Sequence, residues 1–303
     1  MTLEVGQVVF RSSRGVRVLV GGEERYCEYR GRMRREKRNA VVVGDRVEIA
    51  PEGEDRGLVH RVLPRRNWLS RRRDVGGGRE IIVAANLDQV VALFSARQPR
   101  LKMGALDRLL VAAETQGLPA RVVVNKIELG LEPSTEELLG SYPTIGYPLH
   151  KVSHRTEEGL AGFRELLRGR ASVVAGPSGV GKSSLIGSLL GRDLRVGEVS
   201  QATEKGKHTT TAVSWYPIPA GGAVVDTPGF RDFALWGLSP PELARHMPDL
   251  RPLVPGCRFR DCLHRGEPEC SVREAAEEGK ILPWRYRSYT GILESILEQE
   301  RSR

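Results

Sequence analysis

Short runs of alternating apolar and polar residues fill roughly the first quarter of the chain. They lie at Val5–Phe10, Val16–Val20, Glu24–Tyr29, Asp45–Ala50 and Gly57–Leu63, separated by Gly-rich or charged turns. A period of two predicts half-buried strands, and several short strands in quick succession predict a small all-β barrel of the OB-fold kind. The intervening loop carries Arg30, Arg32, Arg34, Arg35, Lys37 and Arg38 with the single acid Glu36, too much charge to pack in a core. The arginine-rich stretch 65–73, followed by Gly76–Gly78, reads as a linker.

From about residue 80 the pattern changes. All-apolar strands are predicted at Gln89–Phe94, Ala120–Val124, Tyr147–Val152, Ser172–Ala175 and Ala223–Val225. Amphipathic helices are predicted between them, at Ala105–Thr115, Ser134–Ser141, Glu157–Leu167 and Lys182–Leu190. Apolar strands alternating with helices imply an α/β unit with a parallel sheet covered on both faces. Beyond about 236 the chain reads as mainly helical. A capping box opens a helix at Ser239 with Glu242, and a second helix spans Trp284–Glu300. The division expected is therefore 1–72 (barrel), 73–235 (α/β) and 236–303 (helical).

Composition adds a partner class. Of 303 residues 40% are hydrophobic and 28% charged, ordinary for a globular chain. The apolar stretch Ile81–Ala96 is broken by Asn86, Asp88 and Gln89, and no run reaches the ~18 apolar residues of a membrane span. The N-terminus lacks a basic flank and apolar core, so a cytoplasmic protein without a membrane partner is expected. The net charge is +9, and residues 1–75 hold 18 Lys or Arg against 11 Asp or Glu. A localised basic excess suits a polyanion such as RNA, with the arginine loop as the candidate contact.

Gly176, Pro177, Ser178, Gly179, Val180, Gly181, Lys182 and Ser183, followed by Ser184, satisfy G-x-x-x-x-G-K-[ST] between a predicted strand and a predicted helix. Glycines let backbone N–H groups turn toward phosphates, and the helix N-terminus adds favourable partial charge. Lys182 can reach the β- and γ-phosphates, and the Ser183 hydroxyl can ligate Mg²⁺. Asp226, at a strand end, begins Asp-Thr-Pro-Gly229; the acid suits a water-bridged Mg²⁺ contact and Gly229 an approach to the γ-phosphate. Between them Thr209, Thr210 and Thr211 follow His208, and Thr209 and Thr210 are the switch candidates, with Thr210 the candidate Mg²⁺ contact.

Asn125, Lys126 and Glu128 end a strand and resemble the Asn-Lys-x-Asp element that reads guanine, with Glu one methylene longer than the usual acid. Ser153 and His154 end the next strand and resemble the Ser-Ala-x base-binding element. GTPases ordinarily place both after the phosphate loop. Here both precede it, which is the same cycle opened elsewhere: a circularly permuted P-loop GTPase. Downstream, Cys257-x4-Cys262-x-His264-x5-Cys270 offers three thiolates and an imidazole, a closed structural zinc set.

These features together resemble the bacterial ribosome-small-subunit-dependent GTPases. The resemblance covers nearly the whole chain, including Val43–Asp45, Gly206–Thr210 and Arg285–Tyr289. It implies an OB-fold that touches rRNA, GTP hydrolysis to GDP and phosphate stimulated by the small subunit, release afterwards, and a role in late maturation or quality control of that subunit. A monomer with one Zn²⁺ and Mg²⁺–GTP is expected. Phe230 stands where many GTPases carry a water-orienting Gln, so intrinsic hydrolysis is expected to be slow. His208 is the candidate replacement, with a partner contact as its equal alternative. The alternative for the whole chain is an rRNA-binding assembly scaffold that holds nucleotide without turnover; an ATPase or small-molecule kinase stands third.

Overall fold

Val8, Val16, Val18, Val47, Ile49 and Val59 turn inward with Cys27 and Val41 to form the apolar centre of a barrel. Its strands are β1 (Glu4–Arg11), β2 (Gly15–Val20), β3 (Glu23–Tyr29), β4 (Arg46–Pro51) and β5 (Arg56–Val62). The chain is seen as a computed structural model describing residues 2–29, 41–72, 80–191, 213–219, 221–226, 235 and 238–301. Strand order β1-β2-β3-β5-β4 closes through a β1–β4 pairing, so no barrel edge is left open. All pairs are antiparallel except β3–β5. The OB-like barrel expected from alternation is present. The loop with Arg30, Arg32, Arg34, Arg35, Lys37 and Arg38 lies outside the described residues.

The expected linker is in part a strand, while Arg73 and Gly76–Gly78 lie outside the described residues. Trp68–Arg72 forms β6 and pairs antiparallel with β7 (Glu80–Ala85). Arginines mask the strand in the sequence, but Leu69 is 1% exposed, lies opposite Ala84 and joins the apolar cluster of the α/β unit. The barrel is tied to the segment that leads into this hairpin through Asp45, a fully buried carboxylate. Arg65 grips it from Nε to Oδ1 at 2.7 Å and from Nη2 to Oδ2 at 2.8 Å, and the Val42 N–H donates to it at 2.8 Å.

The α/β unit runs β8 (Gln89–Ser95), α1 (Met103–Thr115), β9 (Ala120–Asn125), α2 (Pro133–Gly140), α3 (Tyr142–Ile145), β10 (Leu149–Lys151), α4 (Leu160–Leu167), β11 (Arg170–Ala175), α5 (Lys182–Leu190), β12 (Ser214–Pro217) and β13 (Gly222–Asp226). Strands β10-β9-β8-β11-β13 are parallel neighbours, and β12 adds antiparallel to β13. Every residue of β8 is buried, as a strand covered on both faces requires. One apolar cluster includes Leu106, Leu110 and Val122, and the other Val91, Phe163 and Ile186. At Phe10 and Ser214, β1 pairs with β12, so barrel and α/β strands form one eleven-stranded sheet.

The capping box at Ser239 opens a 3-10 helix, Pro240–His246, rather than an α-helix; the Ser239 N–H donates to Glu242 at 3.2 Å. α6 (Ser271–Glu277) and α7 (Pro283–Arg301) follow. No helix among the described residues is long and apolar enough to cross a membrane. α7 puts Tyr289, Leu293 and Ile296 into the same apolar cluster as α1. Beneath it Arg285 is fully buried, donating from Nη1 to Asp107 at 2.5 Å and from Nε to Asp249 at 3.0 Å. The Tyr142 hydroxyl donates to Asp107 at 2.7 Å. Burial pushes the Asp107 carboxyl up, and the Arg285 charge opposes it. Taking the cation away leaves a buried carboxylate unpaired, so Arg285→Met is expected to lower the unfolding free energy by about 3–5 kcal/mol in a denaturant titration. A loss under ~1 kcal/mol would mean that the pair does not hold α7 to α1.

Candidate nucleotide site

Parallel pairing brings the ends of β8, β9 and β11 side by side, with Ser95 opposite Asn125 and Ala92 opposite Ala175. Ligands of open α/β sheets bind at such strand ends. The loop after β11 holds Gly176 to Gly181, and α5 begins at Lys182, as the phosphate-loop motif requires. Gly176 is buried against β8: a Cβ there would lie 1.8 Å from the Leu93 carbonyl oxygen. Gly181 has φ +92°, and a Cβ there would lie 2.5 Å from the Asn125 side-chain nitrogen. Both glycines are therefore demanded by close approach. Val180 is buried, while Ser178, Gly179 and Ser184 are exposed and Pro177 and Ser183 half-buried. Lys182 Nζ turns back on its own loop, donating to the Gly176 and Pro177 carbonyls at 2.8 Å each.

The base-reading candidates reach the same loop. Asn125, fully buried, donates from Nδ2 to the Val180 carbonyl at 2.9 Å, while its Oδ1 is buried without a hydrogen-bond partner. Lys126 has φ +60°, and its Nζ donates to the Gln98 carbonyl at 2.5 Å and the Gly179 carbonyl at 2.6 Å. Glu128 sits in the 3-10 turn Ile127–Leu129, with Oε2 buried and unpartnered. Burial works against its charge, but Ser153, the local backbone, His154 and Arg155 outweigh it and hold the carboxyl below its ordinary range. Ser153 is fully buried, its Oγ accepting the Arg155 N–H at 3.2 Å and the Thr156 N–H at 3.1 Å. His154 Nδ1 is likewise buried and unpartnered. Three orphaned polar atoms thus mark the ends of β9 and β10, a pattern that suits a polar planar ligand.

Asp226 ends β13, is 7% exposed and lies opposite Val174, just before the phosphate loop. The structure thus gathers Asn125, Lys126, Glu128, Ser153, His154, Lys182 and Asp226 on one edge of the sheet. His208, Thr209, Thr210 and Gly229 fall outside the described residues. The sequence gives no signal for the Gln98 contact, because a carbonyl from any residue type can make it.

The cysteine cluster lies in the C-terminal region, between the 3-10 turn Val254–Gly256 and α6. Cys257 Sγ lies 3.4 Å from His264 Nδ1 and 3.9 Å from Cys270 Sγ, and the four donor atoms, with Cys262 Sγ, lie within 4.8 Å of one another. Cys262, His264 and Cys270 are buried. Burial pushes the Cys262 thiol up to about 12, so a thiolate there needs a cation beside it. Glu267 shapes the loop by accepting the N–H groups of Leu263 at 2.8 Å, Arg265 at 2.9 Å and Gly266 at 3.1 Å. The Tyr289 hydroxyl donates to the Leu263 carbonyl at 2.8 Å and the Tyr286 hydroxyl to that of His264 at 2.6 Å. This donor set fits a four-coordinate metal ion, and α7 braces it.

The family model described as RsgA GTPase matches residues 62–236. The chain belongs to the RsgA GTPase family. It is 42% identical over 304 residues to the small ribosomal subunit biogenesis GTPase RsgA of Gemmatimonas aurantiaca, covering 98% of this chain and 99% of that one. The protein of the same name from Chlorobaculum parvum is 42% identical over 269 residues, covering 86% of each chain. Among solved structures, YjeQ from Thermotoga maritima is similar with a TM-score of 0.77 and 32% identity, covering 98% of this chain and 99% of that one. YloQ, described as a circularly permuted GTPase, gives 0.75 and 28%, covering 98% and 96%. As an RsgA GTPase the chain is a GTP-hydrolysing enzyme with permuted motif order, as the sequence predicts. Gly176→Ala is expected to push the phosphate loop off β8, costing about 1–3 kcal/mol of stability and weakening GTP binding at least about tenfold. Fluorescent-nucleotide titration checks this, and unchanged affinity would mean that the loop does not need its seat on Leu93.

Proposed function

We propose that this GTPase acts on the small ribosomal subunit in late maturation or quality control, binding with GTP and leaving after hydrolysis. The bond from Asn125 to the Val180 carbonyl supports the nucleotide reading most directly, because it joins the base element to the phosphate loop. Asn125, Lys126, Glu128, Ser153 and His154 take the guanine end of GTP, with the Glu128 carboxylate accepting from the base N–H groups. Backbone N–H groups from Gly176 to Ser184 take the phosphates, and Lys182 exchanges its loop carbonyls for phosphate oxygens. Ser183, Thr210 and Asp226 are the residues that would hold Mg²⁺, which supplies charge neutralisation on the phosphates when bound. Thr209 and Gly229 would face the γ-phosphate, and His208 would orient the attacking water.

Cys257, Cys262, His264 and Cys270 would hold one structural Zn²⁺, since all four donors are protein side chains and none leaves an open position. The basic loop with Arg30, Arg32, Arg34, Arg35, Lys37 and Arg38 is the proposed rRNA contact of the barrel. The names of the relatives and the basic N-terminal quarter support the ribosomal partner. The protein works in the cytoplasm, as a monomer.

Phosphate release by purified protein, with and without small ribosomal subunits and with Lys182→Ala as control, tests the proposal. Turnover is expected to rise at least about tenfold with subunits and to vanish in the variant. GTP binding with no stimulation would favour a scaffold that holds nucleotide without turnover.

A further inference from the structure

We propose that Ser95 is a positioning residue for nucleotide binding, acting by holding the turn that fixes Lys126. The proposal rests on the guanine reading of Asn125–Glu128. Lys126 ends in an ammonium shared by two carbonyls, Gln98 at 2.5 Å and Gly179 at 2.6 Å. The second belongs to the phosphate loop. The first belongs to the turn after β8, which no nucleotide motif covers. A lysine loses up to ~2 kcal/mol of rotamer freedom when its stem is fixed, and charge-assisted bonds to carbonyls offset that loss before a ligand arrives. The stem is then already in place to lie over a base.

What holds the Gln98 carbonyl is the chain on either side of it. Ser95 ends the otherwise apolar run Val90–Phe94, is 1% exposed, and donates from Oγ to the Pro99 carbonyl at 2.7 Å. One residue on, the Ala96 N–H donates to the Asn125 carbonyl at 2.8 Å. The turn is thereby stapled to β9 beside Asn125 and closed on itself through Pro99. Pro99 also faces the phosphate loop, its Cδ lying 3.6 Å from where a Gly179 Cβ would be. The Ser95 hydroxyl thus fixes Pro99, the peptide next to Gln98, and through it the first acceptor of Lys126. Removing it leaves the β8–β9 pairing intact and frees the turn.

Release of fluorescent GDP and GTP, followed by stopped flow, tests this. Ser95→Ala is expected to speed release of both nucleotides about three- to tenfold, the worth of one hydrogen bond, with little change in melting temperature. Thr115→Ala removes a hydroxyl bonded to the Ala112 carbonyl at 2.9 Å and serves as control, with release at the wild-type rate. In a Lys126→Met background Ser95→Ala should add nothing, because the group it positions is gone. Wild-type release rates in Ser95→Ala, or an equal acceleration with and without Lys126, would overturn the assignment. Competition by ATP against GTP on the wild-type protein separates the two levels. Failure to prefer GTP removes the guanine reading and this proposal with it, whereas preference for GTP with a silent Ser95→Ala removes only the role of Ser95.

Discussion

A single hydrogen bond, from the Asn125 side-chain amide to the Val180 carbonyl, joins parts of the chain 55 residues apart. It forms because parallel pairing sets β9, β8 and β11 next to one another, with β8 and β9 running three residues past the end of β11, so that Asn125 stands beside the loop that follows it. It also needs Gly181, where any side chain would displace the amide. Lys126 repeats the connection one residue later through Gly179. The phosphate loop and the turn that begins at Asn125 are therefore one assembly, joined by bonds within the chain. Pre-assembly of this kind lowers the ordering cost that binding would otherwise meet.

The same sheet carries the nucleotide edge to the barrel. Strand β13 ends at Asp226, and β12 beside it pairs with β1 of the barrel at Phe10 and Ser214. A rearrangement near Asp226 therefore adjoins the barrel through backbone hydrogen bonds. On the other side α7 is locked to α1 by buried Arg285, and its tyrosines carry the carbonyls of the cysteine loop. Barrel, nucleotide edge and cysteine cluster are thus joined through ordered contacts rather than through a loose tether.

Much of this is legible in the sequence, for a physical reason. Phosphate loops, base-reading turns and metal knuckles need particular residue types at fixed spacing, so Lys182, Asn125 and the Cys257–Cys270 set stand out. The barrel strands are legible because one face is wet. Strand β6 is hidden because arginines surround its buried Leu69. The turn at Ser95–Pro99 is hidden because it works through carbonyls. The pairing of Arg285 with Asp107 joins residues 178 apart, and nothing local in either segment announces it.

The central claim is that the nucleotide site is braced before nucleotide arrives. Denaturant unfolding of nucleotide-free Asn125→Ala beside wild type tests it directly. The account predicts a loss of about 1–3 kcal/mol in the absence of ligand, because the variant leaves the buried Val180 carbonyl without its donor. Unchanged stability without nucleotide, accompanied by weaker GTP binding, would contradict it and leave Asn125 as a contact to the base alone.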